Sequence, residues 1–389
     1  MDKEFFGRGV EEIIDEKSFA AKLKAGSKLR IKLGVDPTRP DIHLGHTVSL
    51  LRLAELQAAG HIIIFLIGDY TAQIGDPSGK SKTRLILSAS EIEANAKTYL
   101  AQVGKILNIK KTEIRRNSEW FAKMDFADIL RLGARFTVAQ VIERDDFAKR
   151  LASGADVGLQ ELLYPLMQAY DSVMLGADVE AGGTDQKFNM LAGRSLQRKM
   201  GDAPQDIITF KLLVGLDGRE KMSKSLDNYI GVAEDPDNQF GKVMSLPDEL
   251  IGDYLRLCTR VPGATIGRYE KAMAAGGNPR DYKEKLAREI VSMYHSEAAA
   301  GAAAERFIRR FKRRELPEDM PKVHLSGSYK LPLLLTALGA AISASEARRL
   351  VAQGGVRIDG AKLADPKAEI TVYPGMVIQV GKLKVYKIV

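Results

Sequence analysis

Residues 28–68 read KLRIKLGVDPTRPDIHLGHTVSLLRLAELQAAGHIIIFLIG. The stretch opens as a short apolar strand over Lys28–Asp36, which the breaker Asp36-Pro37 ends. Pro40-Asp41 precedes helical apolar spacing from about Leu44 to Ala59, and Gly60 stands where a C-cap glycine belongs. His61–Gly68 is an almost unbroken apolar run, the pattern of a strand covered on both faces. Strand, helix and strand in such close succession predict a βαβ unit, and with it a parallel sheet flanked by helices.

Working outward, residues 89–108 and Asp125–Leu132 predict helices, and Glu113–Arg116 a strand. Leu159–Leu175 has helical apolar spacing, Asp178–Ala181 leads into Gly182-Gly183, and Ile207–Val214 reads as a strand before the turn Asp217-Gly218. From about Pro236 to Arg314 the pattern is helical throughout, and Leu316–Pro321, with its two prolines, reads as a linker. Beyond it, Ser343-x-x-Glu346 fits a capping box and Gly354-Gly355 ends its helix. Short strands follow at Val356–Ile358, Ile370–Tyr373, Met376–Val380 and Lys384–Ile388. The expectation is three domains: an α/β domain 1–232, a helical domain 233–322 and a small α+β domain 323–389.

Composition narrows the function classes. The chain has 389 residues, 45% apolar and 28% charged, which is the balance of an ordinary globular protein and not of a disordered one. Its longest strand-like apolar run, Ile62–Ile67, is far short of a membrane span, and the charged start Met1-Asp-Lys-Glu leads us to expect a cytoplasmic protein. One cysteine, Cys258, excludes an internal disulfide, and with five histidines it makes a Cys/His zinc site unexpected. The net charge of +8 is uneven: residues 322–389 hold ten Lys/Arg and four Asp/Glu, leaving the first 321 residues at +2. A near-neutral body with a basic end suits a polyanion partner, although a merely basic soluble surface explains it equally well.

Three constellations carry chemistry. His43-Leu-Gly45-His46 lies between strand and helix, with both rings on the first helical turn, where backbone N–H groups are unpaired and the helix dipole is positive. Such a turn cradles a nucleotide, and alone it is also an ordinary helix start. Lys221-Met222-Ser223-Lys224-Ser225 follows the Asp217-Gly218 turn as a cationic loop able to follow charge on a departing phosphate, or to be a solvated surface loop. On Leu159–Leu175, Tyr164, Gln168 and Asp171 fall at i, i+4 and i+7, one polar face amid leucines and methionines. That stripe suits a pocket pairing the hydroxyl and ammonium of a small polar aromatic ligand.

The first two constellations together resemble the paired signatures of class I aminoacyl-tRNA synthetases, the second letter for letter. Tyr164–Asp171, Gly182–Gln186 and Gly75–Lys80, in this order, resemble the tyrosyl-tRNA synthetase family rather than its tryptophan counterpart, over essentially the whole chain. The resemblance implies a Rossmann-like class I catalytic domain, a helical anticodon-binding domain and an S4-like RNA-binding domain. It further implies tyrosine activation with ATP and Mg²⁺, transfer to the 3′ end of tRNA(Tyr), and a homodimer with its interface around Phe126–Phe147. By the same resemblance Asp76, Tyr164 and Gln168 hold the tyrosine ammonium, Asp171 its phenolic OH, and Gln186 lies near its carboxylate. Asp36, Gly45, Asp185, Met222, Ser223 and Ser225 fall on ATP-binding positions. His43 and His46 would stabilise phosphates, and Lys221 and Lys224 the leaving pyrophosphate. Where the family carries a second hydroxyl partner, a tyrosine, this chain has Lys32; either Lys32 touches the OH or Asp171 acts with another group. Ser343–Arg349 and Gln353–Gly360 carry the S4 likeness, with Arg348, Arg349, Arg357 and Lys362 as phosphate contacts.

Other readings fit less well. Gly75–Ser81 ends in Gly-Lys-Ser but is one residue short of a P-loop, and Gly7-Arg-Gly9 lacks the third glycine and preceding strand of a dinucleotide fingerprint. An inactive RNA-binding regulator would have no need to retain His43, His46, Lys221 and Lys224 together.

Overall fold

The computed structural model describes residues 3–77, 87–311, 320–381 and 384–389. They fall into two compact units, 1–301 and 302–389, with the division inside the helix Glu297–Phe311.

The first unit is built on six strands: β1 Val10–Ile14, β2 Arg30–Val35, β3 Ile62–Ile67, β4 Thr112–Arg116, β5 Val179–Gly183 and β6 Asp206–Phe210. Their order in the sheet is β1-β6-β5-β2-β3-β4. All neighbours pair parallel except β1, which runs antiparallel to β6. The apolar run His61–Gly68 thus forms an inner strand, buried at five of its six β3 positions. Edge strand β1 was not expected. Its sequence Val-Glu-Glu-Ile-Ile lacks alternation, because an edge strand needs little burial, and none of its residues is fully buried.

The helix Leu44–Ala58 follows β2 and stops at Gly60, whose φ of +97° only glycine adopts easily. The helix Leu159–Leu175 has the predicted bounds. On one flank Leu166 and Ala169 pack with Leu132, Val141, Phe147 and Leu196; on another, Met167 and Leu175 pack with Ile64, Leu66, Trp120 and Phe121. This double covering leaves the stripe Tyr164, Gln168 and Asp171 to line a cavity. The helices Pro236–Met244, Ile251–Cys258, Gly263–Ala274 and Pro279–Tyr294 complete the unit, as the helical pattern predicts.

The second unit holds seven short strands: β7 Lys322–Val323, β8 Gly327–Lys330, β9 Val356–Ile358, β10 Ala361–Leu363, β11 Glu369–Val372, β12 Val377–Val380 and β13 Lys384–Ile388. They form a sheet β10-β9-β12-β13-β7 and a pair β11-β8. The helices Leu331–Ala337 and Ala344–Ala352 cover a core of Leu331, Leu334, Leu335, Ala347, Val351, Val356, Ile378 and Ile388. Asp359 and Gly360 both have positive φ, which makes the two-residue hairpin joining β9 to β10. Strands β7, β8 and β10 escaped the sequence reading because each holds at most one β-branched or aromatic residue, whereas β9, equally short, reads Val-Arg-Ile. Most of the expected linker Leu316–Pro321 lies outside the described residues.

Candidate active site at the sheet switch point

The chain turns one way from β2 to β3 and β4, and then crosses back to β5 and β6. Between β2 and β5 the C-terminal ends of parallel strands splay, which is where open α/β sheets hold ligands. A cavity of about 890 Å³ opens there, lined from β2, β3, β5, the helix Leu159–Leu175 and the Lys221–Ser225 loop.

His43 is the N-cap of the helix Leu44–Ala58. Its Nδ1 accepts from the Gly45 N–H at 3.2 Å, and His46 Nδ1 accepts from the His43 N–H at 3.2 Å. The ring centroids are 3.8 Å apart. With both Nδ1 atoms accepting, each neutral ring keeps its proton on Nε2. Burial pushes both imidazoles down, His46 to about 3 and His43 further, and the charge of Lys224 adds to this. The pair is therefore two neutral N–H donors. A side chain on Gly45 would come within 2.9 Å of His43 Nδ1, so glycine keeps this turn open.

The segment just after the second signature is sewn to the first. The Leu44 N–H donates to Ile230 O, and the Val232 N–H to Ile42 O. Met222 is buried, while Ser223 and Ser225 share a hydroxyl contact at 2.8 Å. Lys221 Nζ lies 2.7 Å from Asp185 Oδ2. Lys224 Nζ reaches Tyr99 OH at 3.0 Å and stands 5.1 Å from that ring's centroid. Burial pushes the Lys224 ammonium down to about 8.

On the opposite wall, Tyr164 OH donates to Asp36 Oδ2 at 3.0 Å, and Thr71 Oγ1 to Asp36 Oδ1 at 2.8 Å. Burial first, then the nearby Asp36, Asp76 and Asp171, hold the Tyr164 phenol well above its ordinary range. Gln186 Nε2 donates to Asp76 Oδ2 at 2.7 Å. Asp171, only 3% exposed, accepts from Trp120 Nε1 at 3.0 Å and Asn117 Nδ2 at 3.4 Å, and burial pushes its carboxyl up to about 7.

Every expected tyrosine and ATP residue therefore lines this one cavity: Lys32, Asp36, His43, Gly45, His46, Asp76, Tyr164, Gln168, Asp171, Asp185, Gln186 and Lys221–Ser225. Of the Gly75–Ser81 segment, Ser78, Gly79, Lys80 and Ser81 lie outside the described residues. Lys32 lines the cavity, yet its ammonium faces Glu180 Oε1 at 2.9 Å, Ser172 Oγ at 2.9 Å and the Gln168 carbonyl at 3.0 Å. Those three acceptors match its three protons.

Sequence reasoning missed four supporting groups. Tyr99 receives Lys224, and Trp120 and Asn117 hold Asp171. Asn228 staples the cationic loop: its Oδ1 accepts the Ser223 N–H, and its Nδ2 donates to Lys221 O and Asp217 Oδ2. Only Trp120, the chain's single tryptophan, carried a signal, since a buried indole N–H needs an acceptor.

In the second unit Arg348 and Arg349 are exposed on the helix Ala344–Ala352. Arg357 on β9 pairs across to Lys362 on β10, and both are exposed.

The sequence model of the family described as tRNA synthetases class I (W and Y) matches residues 24–312, and that of the S4 domain matches residues 330–378. Fold and site are together those of a class I tRNA synthetase. The chain is 51% identical to the tyrosine–tRNA ligase of Dehalococcoides mccartyi (98% of this chain, 97% of the relative) and 48% identical to that of Thermotoga maritima (98% and 95%). The chain belongs to the tyrosyl-tRNA synthetase family. Its fold is also that of two solved structures, each 23% identical in sequence. The Archaeoglobus fulgidus tyrosyl-tRNA synthetase complexed with L-tyrosine gives a TM-score of 0.63 over 77% of this chain and 98% of that one. The truncated mitochondrial enzyme of Aspergillus nidulans gives 0.66 over 79% and 93%.

Proposed function

We propose that the protein is a tyrosine–tRNA ligase that works in two steps in the switch-point cavity. A tyrosine carboxylate oxygen attacks the α-phosphorus of ATP, forming an acyl–phosphate bond as the bond to pyrophosphate breaks. A terminal ribose hydroxyl of tRNA(Tyr) then attacks the anhydride carbonyl, and AMP leaves. The observation that carries this reading is the stripe Tyr164, Gln168 and Asp171 lining the same cavity as the His43/His46 turn and the Lys221/Lys224 loop.

In this reading the tyrosine ammonium lies among Asp76, Tyr164 and Gln168, its phenol meets Asp171, and its carboxylate lies near Gln186. ATP lies along Asp36, Gly45 and the loop Lys221–Ser225, with its ribose at Asp185. His43 and His46 donate N–H bonds to its phosphates. Lys221 and Lys224 stabilise the charge that builds on pyrophosphate. No protein nucleophile takes part; positioning and charge stabilisation do the work. Mg²⁺ belongs to the ATP substrate here, and no step is routed through it. Lys32 has no proton free for the phenol, so Asp171 acts on the hydroxyl without it.

The segment 233–322 is assigned to the anticodon and the segment 323–389 to other parts of the tRNA, with Arg348, Arg349, Arg357 and Lys362 on phosphates. Phe126, Leu130 and Val138 are exposed apolar side chains, which supports a homodimer through residues 126–147. No helix among the described residues is long and apolar enough to cross a membrane, and we place the enzyme in the cytoplasm.

The test is exchange of label between pyrophosphate and ATP. It is expected with tyrosine and not with tryptophan. Exchange with tryptophan alone would overturn the specificity, and exchange with no amino acid would favour the inactive RNA-binding regulator. Deleting 328–389 should leave tyrosine-dependent exchange within about twofold and weaken tRNA charging roughly tenfold or more, since the deleted segment holds most of the net charge. Loss of exchange with the deletion would show that the catalytic unit does not stand without it.

A further inference from the structure

A polar network forms part of the cavity floor. The register of the sheet sets Lys32 on β2 directly across from Glu180 on β5. Glu180 is 1% exposed and Lys32 fully buried. The Glu180 carboxylate takes four donors: Lys32 Nζ at 2.9 Å and Gln168 Nε2 at 3.1 Å on Oε1, and Ser172 Oγ at 3.0 Å and Gln205 Nε2 at 2.5 Å on Oε2. Lys32 in turn donates to Glu180, to Ser172 and to the Gln168 carbonyl. A buried ion pair is weak evidence of stabilisation, because well-packed apolar residues often do as well. The question is what these groups hold in place.

They hold Gln168 at both ends. Its main-chain carbonyl accepts from Lys32, and its side-chain NH₂ donates to Glu180. A carboxylate only accepts, so it binds the nitrogen end of the amide and never the oxygen end. The amide oxygen is then the end left for the cavity that Gln168 lines, where it acts solely as an acceptor.

We propose that Glu180, paired with Lys32, is a positioning residue that fixes the amide orientation of Gln168. This makes the cavity select a ligand with a cationic amino group. The proposal rests on the reading that Gln168 meets the tyrosine ammonium. A Gln168 free to turn would present its NH₂ to that ammonium, donor against donor.

The experiment uses the full chain and two ligands: tyrosine, and 3-(4-hydroxyphenyl)propanoate, which lacks only the amino group. Glu180→Met removes the acceptor altogether and leaves Gln168 free to turn. It should raise KM for tyrosine roughly 10- to 100-fold, as for a lost hydrogen bond to a charge. KM for ATP and the inhibition constant of the propanoate should stay within about twofold. Gln168→Ala should produce the same selective loss, and the double variant should be little worse than either single one. Glu180→Asp keeps the charge but withdraws the acceptor by one methylene. It is expected to show the same selective loss, and it carries the test if Glu180→Met does not fold. Equal weakening of both ligands in the Glu180 variants would mean a merely structural role, and no weakening would mean none; either overturns the proposal. If Gln168→Ala itself leaves the preference for tyrosine over the propanoate intact, the ammonium assignment fails and the proposal falls with it. If Gln168→Ala loses the preference and the Glu180 variants keep it, only the proposal fails.

Discussion

Lys224→Ala is expected to slow tyrosyl-adenylate formation by about 10²- to 10³-fold, the usual scale for removing a group that meets developing charge. KM for tyrosine should stay within about twofold, because Lys224 stands on the loop opposite the Tyr164–Asp171 wall and, in the proposed reading, acts on the phosphates. Its ammonium lies against Tyr99, partly withdrawn from water, and burial pushes it down to about 8. Only the protonated form can stabilise pyrophosphate. Its charge is therefore present below pH 8 and lost as the pH rises through it. In the free enzyme, which kcat/KM for ATP reports, the rate should fall about tenfold for each pH unit above about 8. Lys224→Arg should remove that alkaline limb, since a guanidinium stays charged throughout. Pyrophosphate exchange measured from pH 6.5 to 9.5 on the three proteins is the check. A wild-type profile flat to pH 9.5, or an alanine variant within threefold of wild type, would remove Lys224 from the mechanism.

At pH 8, where its carboxyl is ionised, Asp171→Asn is expected to lower kcat/KM for tyrosine by about 100-fold, close to the upper range for losing a hydrogen bond to a buried charged group. The same change should leave the poor activity with phenylalanine almost unaltered, so that discrimination narrows by the same factor. Trp120 and Asn117 both donate to Asp171. A carboxylate can take these bonds and still accept from a substrate hydroxyl, whereas an amide has one oxygen for all three donors. Phenylalanine brings no hydroxyl to leave unmet, and so it loses nothing. Exchange kinetics with both amino acids test this. A tyrosine-to-phenylalanine ratio unchanged in the variant would place the phenol elsewhere.

Much of this site was legible in one dimension because its parts are local. A strand, a breaker, a helix cap and an apolar strand within residues 28–68 suffice to predict a parallel sheet. A His-x-Gly-His turn and a Lys/Ser loop keep their chemistry whatever surrounds them. The stripe Tyr164, Gln168 and Asp171 follows from helical period alone. The unexpected parts are those with weak local patterns: the Glu-rich edge strand β1, and strand β8, whose partner β11 lies some 40 residues further on.

Sequence by itself determined which chemistry was on hand: two histidines at a helix start, two lysines on a loop, a polar helical face and a basic final segment. Tertiary structure alone decided what each group does. Lys32 could be read as a partner for the substrate hydroxyl until the register of β2 against β5 set it opposite Glu180, where it supports Gln168 from below. Lys224 found Tyr99, and Tyr164 found Asp36, across more than a hundred residues of chain. The reason is physical. Helical and strand periods depend on neighbours along the backbone, whereas the match between a buried charge and its counter-charge depends on which strands the sheet places side by side.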